Sequence, residues 1–186
     1  MCGRYAATAN PDELVEEFEI SFVADEMAEV CAPRYNIAPT DLVPGVLDRA
    51  SDGQVTRKLV PLRWGLVPSW AKAPGSTMIN ARVETVTEKP AYRRAAAARR
   101  CLLPAVGYYE WRAETPEGAT KPVKQPYFLR PPSGLLVMAG LYEFWKDREA
   151  DEWVVSYTIL TTTAEDDLGH VHERMPLFLE PGAYDA

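Results

Sequence analysis

A cysteine stands directly after the initiator methionine of this 186-residue chain. Chain ends are usually exposed, whereas a structural thiol prefers burial, so Cys2 is either an ordinary second residue or a reagent. Methionine is commonly removed before a small residue. Its loss would leave Cys2 with an α-amine and a thiol on adjacent carbons. Such a 1,2-aminothiol condenses with an aldehyde: the amine forms an imine, the thiol adds to it, and a thiazolidine ring closes. Reference values of ~8.5 for a thiol and ~7.7–8.0 for an α-amine leave both nucleophiles usable near neutrality.

Three further polar residues interrupt stretches that otherwise read as core. Glu110 lies within Tyr108-Tyr109-Glu110-Trp111. A carboxyl group among aromatics is a candidate proton shuttle, unless it points outward or pairs with an arginine. Asn80, between Ile79 and Ala81-Arg82, offers two donors and an acceptor for orienting a substrate or the terminal amine; its alternative is a turn cap. His172 precedes Arg174-Met175-Pro176 and could take and give a proton near pH 7, or be structural. Cys2, His172 and Asn80 would also suffice for a thiol peptidase that removes its own Met1 or acts on other proteins. His170 and His172 could present two ligands from a strand, but no third is evident nearby. No metal and no cofactor are expected.

These residues need a scaffold, and the patterning describes an α+β domain with a largely antiparallel, barrel-like or two-sheet core. Asn10-Pro11-Asp12-Glu13 opens a short helix with an apolar stripe at Leu14, Val15, Phe18 and Ile20. Pro33 to Pro39 must be extended. Leu42 to Leu47 reads as a short strand before a turn at Ser51-Asp52-Gly53. Leu59 to Trp64 is a strand entering the loop Gly65 to Trp70, and Pro74-Gly75-Ser76 is a turn. Pro90 to Arg100 reads as an alanine-rich helix and Cys101 to Trp111 as a single apolar strand. Thr115 to Pro126 is a surface loop before a short strand at Tyr127 to Arg130. Leu135 to Trp145 and Trp153 to Thr163 form an antiparallel hairpin. Glu165 to Gly169 is a short helical or irregular segment, and proline fixes a loop after His172.

Composition narrows the class. Hydrophobic residues make up 47% and charged residues 25%, as in a globular domain. No apolar run is long enough for a membrane span, and no secretory signal is visible. Cys2, Cys31 and Cys101 are odd in number and contain no CxxC pair, which argues against a disulfide framework or zinc site and for a reducing compartment. The net charge is −7, yet Arg57 to Arg130 holds 14 Lys/Arg against 5 Asp/Glu. A basic middle between acidic ends suits a face that meets phosphates, although a solvated helix face would also account for the arginines. Trp64 and Trp70 are core residues or, if exposed, stacking platforms for bases.

Seven motifs spaced along the chain act together: MCGRY, PRYNIAPT, RWGLVPSW, INARVET, CLLPAVGYYEW, MAGLYEF and HERMP. In this order they resemble the SRAP family, named for SOS-response-associated peptidase, whose members process abasic sites in DNA. The resemblance implies an α+β fold in which a bifurcated β-sheet forms a barrel surrounded by helices. It also implies that mature Cys2 traps the aldehyde of an abasic site in single-stranded DNA as a thiazolidine cross-link. Asn80 would hold the sugar and the terminal residue. Glu110 would transfer protons, and His172 would assist ring opening and the reverse reaction. Arg4, Asn36, Pro39, Trp70 and Arg82, with Trp64, would contact DNA. A cytoplasmic monomer is expected. The family continues past HERMP, so one SRAP domain with a shortened C-terminal end is expected over residues 1–186. A non-covalent single-stranded DNA-binding module is the third reading.

Overall fold

Strand alternation, rather than helix, builds most of this chain. A computed structural model describes residues 2–74, 78–118, 120–164 and 169–185. Met1, Gly75 and Ser76 of the expected turn, and most of Glu165 to Gly169 lie outside them. In chain order the elements are β1 (Arg4–Ala7), α1 (Pro11–Phe18), β2 (Phe22–Val23), α2 (Met27–Val30), β3 (Arg34–Ile37), β4 (Leu42–Ser51) and β5 (Gln54–Trp64). There follow β6 (Asn80–Arg82), α3 (Arg93–Ala98), β7 (Arg100–Ala105), β8 (Gly107–Glu114) and β9 (Val123–Leu129). The last are β10 (Leu136–Asp147), β11 (Glu152–Thr163) and β12 (Arg174–Pro176), before a 3-10 turn at Pro181–Ala183.

Five strands close a barrel in the order β5-β4-β7-β10-β11, with β11 returning to β5 through the parallel pairs Ser156–Arg63 and Tyr157–Trp64. The inward residues of these strands, among them Val43, Leu62, Trp64, Leu103, Met138, Tyr142, Tyr157 and Ile159, form one buried cluster. A second sheet, β3-β1-β8-β9, stands beside the barrel. Helix α1 carries the cap its sequence predicts: the Asn10 side chain accepts from the Glu13 amide, and the Glu13 carboxylate accepts from the Asn10 amide, both at 3.0 Å. Its Leu14 and Phe18 pack on the outer barrel wall with Val46, Leu59, Leu102 and Val137.

The hairpin expected from Leu135 to Thr163 forms as β10 and β11, and beyond Gly140–Ile159 its strands part. The chain after β12 fills the gap. The Leu177 amide donates to Leu160 O at 2.8 Å, the Ala139 amide to Leu177 O at 2.8 Å, and the Leu179 amide to Val137 O at 2.9 Å. This wedge is the bifurcation. On its other edge β11 exchanges β5 for β6, which it pairs in parallel from Ile159–Asn80 to Thr161–Arg82.

Several expectations need correction. Cys101 to Trp111 is two strands in two sheets, because the chain leaves the barrel at Val106, whose amide donates to Ala6 O at 2.8 Å. The run reads as one strand because both halves are buried. The alanine-rich helix is confined to Arg93–Ala98. The short strand expected at Leu42–Leu47 continues to Ser51, since Asp52 and Gly53, with φ of 53° and 78°, make the tight turn that keeps two twisted strands paired to their tips. Part of the expected Thr115–Pro126 loop is strand β9, and the expected loop after His172 is strand β12. Trp64 is no stacking platform. It has no exposed surface, its ring packs against Tyr5 and Tyr157, and its indole N–H donates to Ile79 O at 3.0 Å.

The crossover from barrel to second sheet leaves little room at Gly107. A Cβ there would lie 2.6 Å from Phe128 Cζ and 2.7 Å from Leu129 O. Backbone cannot step aside as a side-chain tip can, so Gly107→Ala is expected to destabilise the fold by about 1–3 kcal/mol in denaturant titration. An unchanged midpoint would show that the sheet tolerates the displacement.

Candidate active site

Cys2 is carried to the barrel by β1. That strand pairs with β8 through Arg4–Tyr109, Tyr5–Tyr108 and Ala6–Gly107, and with β3 on its other edge. Alternation along β1 turns Tyr5 inward, where its hydroxyl meets that of Tyr157 at 2.8 Å. Cys2 is fully buried in the same cluster as Tyr5, Tyr108 and Tyr157. Its thiol approaches Arg4 O at 3.8 Å, a weak contact. From β6, Asn80 Nδ2 donates to the Cys2 carbonyl at 2.8 Å. Asn80 Oδ1 is buried and has no hydrogen-bond partner among the described residues.

Glu110 on β8 is buried rather than outward-facing. Burial pushes the Cys2 thiol well above the ordinary thiol range, and the nearby Glu110 carboxylate pushes it further; a backbone hydrogen bond at Arg4 opposes this only in part. Tyr108 is raised in turn, first by burial and then by Cys2 and Glu110. Cys2 therefore holds its proton at neutral pH and needs a base to become a nucleophile. Among the described residues Glu110 brings a carboxylate near it, and Asn80 holds its carbonyl.

His172 is held by another frame. Its Nδ1 accepts a hydrogen bond from the Arg174 amide at 2.9 Å, at the start of β12. Since β6 and β12 flank β11, His172 and Asn80 approach from opposite edges of that strand. Among the described residues no group of three or more His, Cys, Asp or Glu side chains could hold a metal ion. No helix among them is long and apolar enough to cross a membrane.

The expected DNA contacts divide by exposure. Trp70 is 64% exposed, on a loop anchored where the Trp145 indole donates to Ala71 O at 2.7 Å. Asn36 and Arg82 are exposed, Arg4 and Pro39 half-buried, and Trp64 is buried. The loop with Asn36 and Pro39 is clamped by Asp41, which pairs with Arg34 and accepts from the Ala38 amide at 2.9 Å. Thr40 adopts φ 80°, uncommon for a β-branched residue, with its amide donating to Trp64 O at 2.8 Å. Sequence reading passed over the tyrosines around Cys2. Alternation in β8 could have indicated that Tyr108 and Glu110 share a face, whereas Cys2 and Tyr5, three positions apart, come together only in the folded cluster.

The SRAP family profile, described as SOS response associated peptidase, matches residues 1–186. The chain belongs to the SRAP family. Among its relatives, the abasic site processing protein YoqW of Bacillus subtilis (strain 168) is 35% identical over 182 residues, covering 96% of this chain and 76% of the relative. The abasic site processing protein HMCES of Xenopus tropicalis is 29% identical over 217 residues, covering 97% and 63%. A crystal structure of a Bacteroides thetaiotaomicron protein shares the fold with a TM-score of 0.83 at 24% identity, over 99% of this chain and 79% of that one. A phage-related protein of Bordetella bronchiseptica superposes with a TM-score of 0.70 at 32% identity, over 98% and 79%. The SRAP barrel expected from the motifs is thus the fold observed.

The buried acids set the response of this SRAP domain to alkali. Burial raises Cys2, Cys101 and Tyr5 above their ordinary ranges, and pushes Cys31 up to about 11. Unfolded chains release these protons at lower pH than the folded one, so the associated stability is intact below the free thiol value of ~8.5 and falls as pH rises above it. Melting temperature should be level to about pH 8 and decline steadily above about pH 9. The decline should be shallower in Cys101→Ala, and an equal slope would exclude that thiol as a contributor.

Proposed function

We propose that this protein captures abasic sites in single-stranded DNA covalently through Cys2 after Met1 has been removed. The contact of Asn80 with the Cys2 carbonyl carries this reading, together with the buried, unpartnered Oδ1 on the same side chain. A free α-amine on Cys2 is the donor such an oxygen would accept, and removal of Met1 creates it on the residue Asn80 already holds.

The chemistry follows from the groups assembled. The amine of Cys2 adds to the aldehyde carbon C1′ and the carbinolamine loses water to give an imine. The thiol sulfur then adds to the same carbon, its proton passes to a base and the former imine nitrogen gains one, so one water is released overall. A thiol held protonated by burial needs that base close by, and Glu110 is the carboxylate within its field. Asn80 keeps the residue oriented, and His172 hydrogen-bonds the sugar as its ring opens. Arg4 and Arg82 would meet phosphates, with Trp70 stacking on a base. The names of the relatives agree with abasic DNA as the substrate.

A thiol peptidase built from Cys2, His172 and Asn80 finds less support. Peptidase thiols are activated by a lowered pKa, whereas this one is raised. Asn80 holds Cys2 itself, and His172 Nδ1 is engaged by a backbone amide.

Intact mass after incubation of the processed protein with an abasic single-stranded oligonucleotide should increase by the oligonucleotide less one water. Cys2→Ala should abolish the heat-stable adduct, and Asn80→Ala should slow it by roughly 10–100-fold. Equal adduct in Cys2→Ala would end the covalent reading. Salt-sensitive binding with no adduct in the wild type would favour a non-covalent module.

A further inference from the structure

Between the strand that bears Asn80 and the strand that follows His172 stands an ion pair that the chemistry above leaves unused. Glu84 lies two residues beyond β6, and Arg174 opens β12. The Glu84 carboxylate takes two hydrogen bonds from the Arg174 guanidinium, at 2.6 Å from Nη1 and 3.0 Å from Nη2. Nη2 also donates to Thr161 O at 2.6 Å, and the Val83 amide reaches the same oxygen at 3.0 Å. Arg174 is buried, and its hydrogen bonds hold the Glu84 carboxyl down to about 2, so the pair stays charged throughout the neutral range. A bidentate guanidinium–carboxylate pair fixes orientation as well as distance.

The backbone of the same arginine faces His172. An amide N–H can donate to Nδ1 only if that nitrogen carries a lone pair, which places the ring hydrogen of neutral imidazole on Nε2. β12 has three residues, paired with β11 at Thr163–Arg174. The side chain of Arg174, pinned to Glu84 and Thr161, adds a second constraint on the same residue.

We propose that Glu84, acting through Arg174, is a positioning residue that fixes His172 in its Nε2–H tautomer. His172 then offers the sugar a hydrogen-bond donor at Nε2. In the reaction proposed above, on which this role rests, that donor hydrogen-bonds the ring oxygen while the C1′–O4′ bond breaks; the C1′ hydroxyl proton passes through solvent to O4′, which leaves the aldehyde at C1′. No proton need leave the imidazole. Because Glu84 and Asn80 belong to one short segment, the ion pair also ties the group that holds Cys2 to the group that meets the sugar.

The chain contains only two histidines, so ring-nitrogen NMR of protein labelled at histidine resolves His172 without DNA. The full-length wild type should show His172 with Nδ1 unprotonated and the hydrogen on Nε2. Glu84→Gln should give a mixture of tautomers and cross-link abasic single-stranded DNA about 10-fold more slowly, with Glu84→Asp recovering part of both. Glu84 is 46% exposed at its side chain, so the fold should survive these changes. A His172 hydrogen on Nδ1 in the wild type would overturn the proposal. So would Glu84→Gln with wild-type tautomer and rate, whether or not its melting temperature falls. If Glu84→Gln does not fold, the comparison passes to Glu84→Asp, where an unchanged tautomer and rate would overturn it equally. Failure of the wild type to cross-link would refute the proposed reaction, while the NMR measurement would still decide the tautomer.

Discussion

β11 is the strand on which the rest of this structure depends. It closes the barrel against β5, forms the hairpin with β10, and then takes β6 and β12 as new neighbours where the first two leave. Backbone amides and carbonyls buried without partners are costly, so a strand whose neighbours diverge must find replacements. The replacements here are the segments beside two candidate site residues: β6 presents Asn80, and β12 follows His172. Satisfying the hydrogen bonds of one strand therefore also positions two side chains of the candidate site.

A second constraint is the burial of Cys2. Placing Cys2 among Tyr5, Tyr108 and Tyr157 orders a residue that would otherwise fray at the end of the chain. The same burial holds its thiol protonated, and Glu110 reinforces the effect. In the proposed reaction this is workable, because the amine attacks first and the thiol is needed only when an electrophilic carbon already lies beside it. A thiolate poised for attack on an arbitrary peptide would call for the opposite surroundings.

Charge acts at two ranges. In the reading proposed above the exposed Arg82 steers toward phosphates, whereas Arg174 is buried and committed to Glu84 and Thr161. Both fall in the basic middle or beyond it, and composition alone cannot assign them different tasks. The distinction comes from which edge of β11 each approaches.

Much was legible in the sequence. The terminal cysteine, the motifs containing Asn80, Glu110 and His172, the capped helix at Asn10 and the hairpin from Leu135 to Thr163 all follow from residue types and local spacing. These features depend on covalent position or on neighbours a few residues away. What only the tertiary structure decided are the long-range matters: Trp64 closes the core instead of meeting a base, and the run from Cys101 to Trp111 divides between two sheets. Asn80 reaches a carbonyl 78 residues away in the chain, and Glu84 reaches Arg174 across 90. Hydrophobicity reports that a residue will be buried, but which face it meets is set when strands close a barrel, and no local pattern encodes that closure.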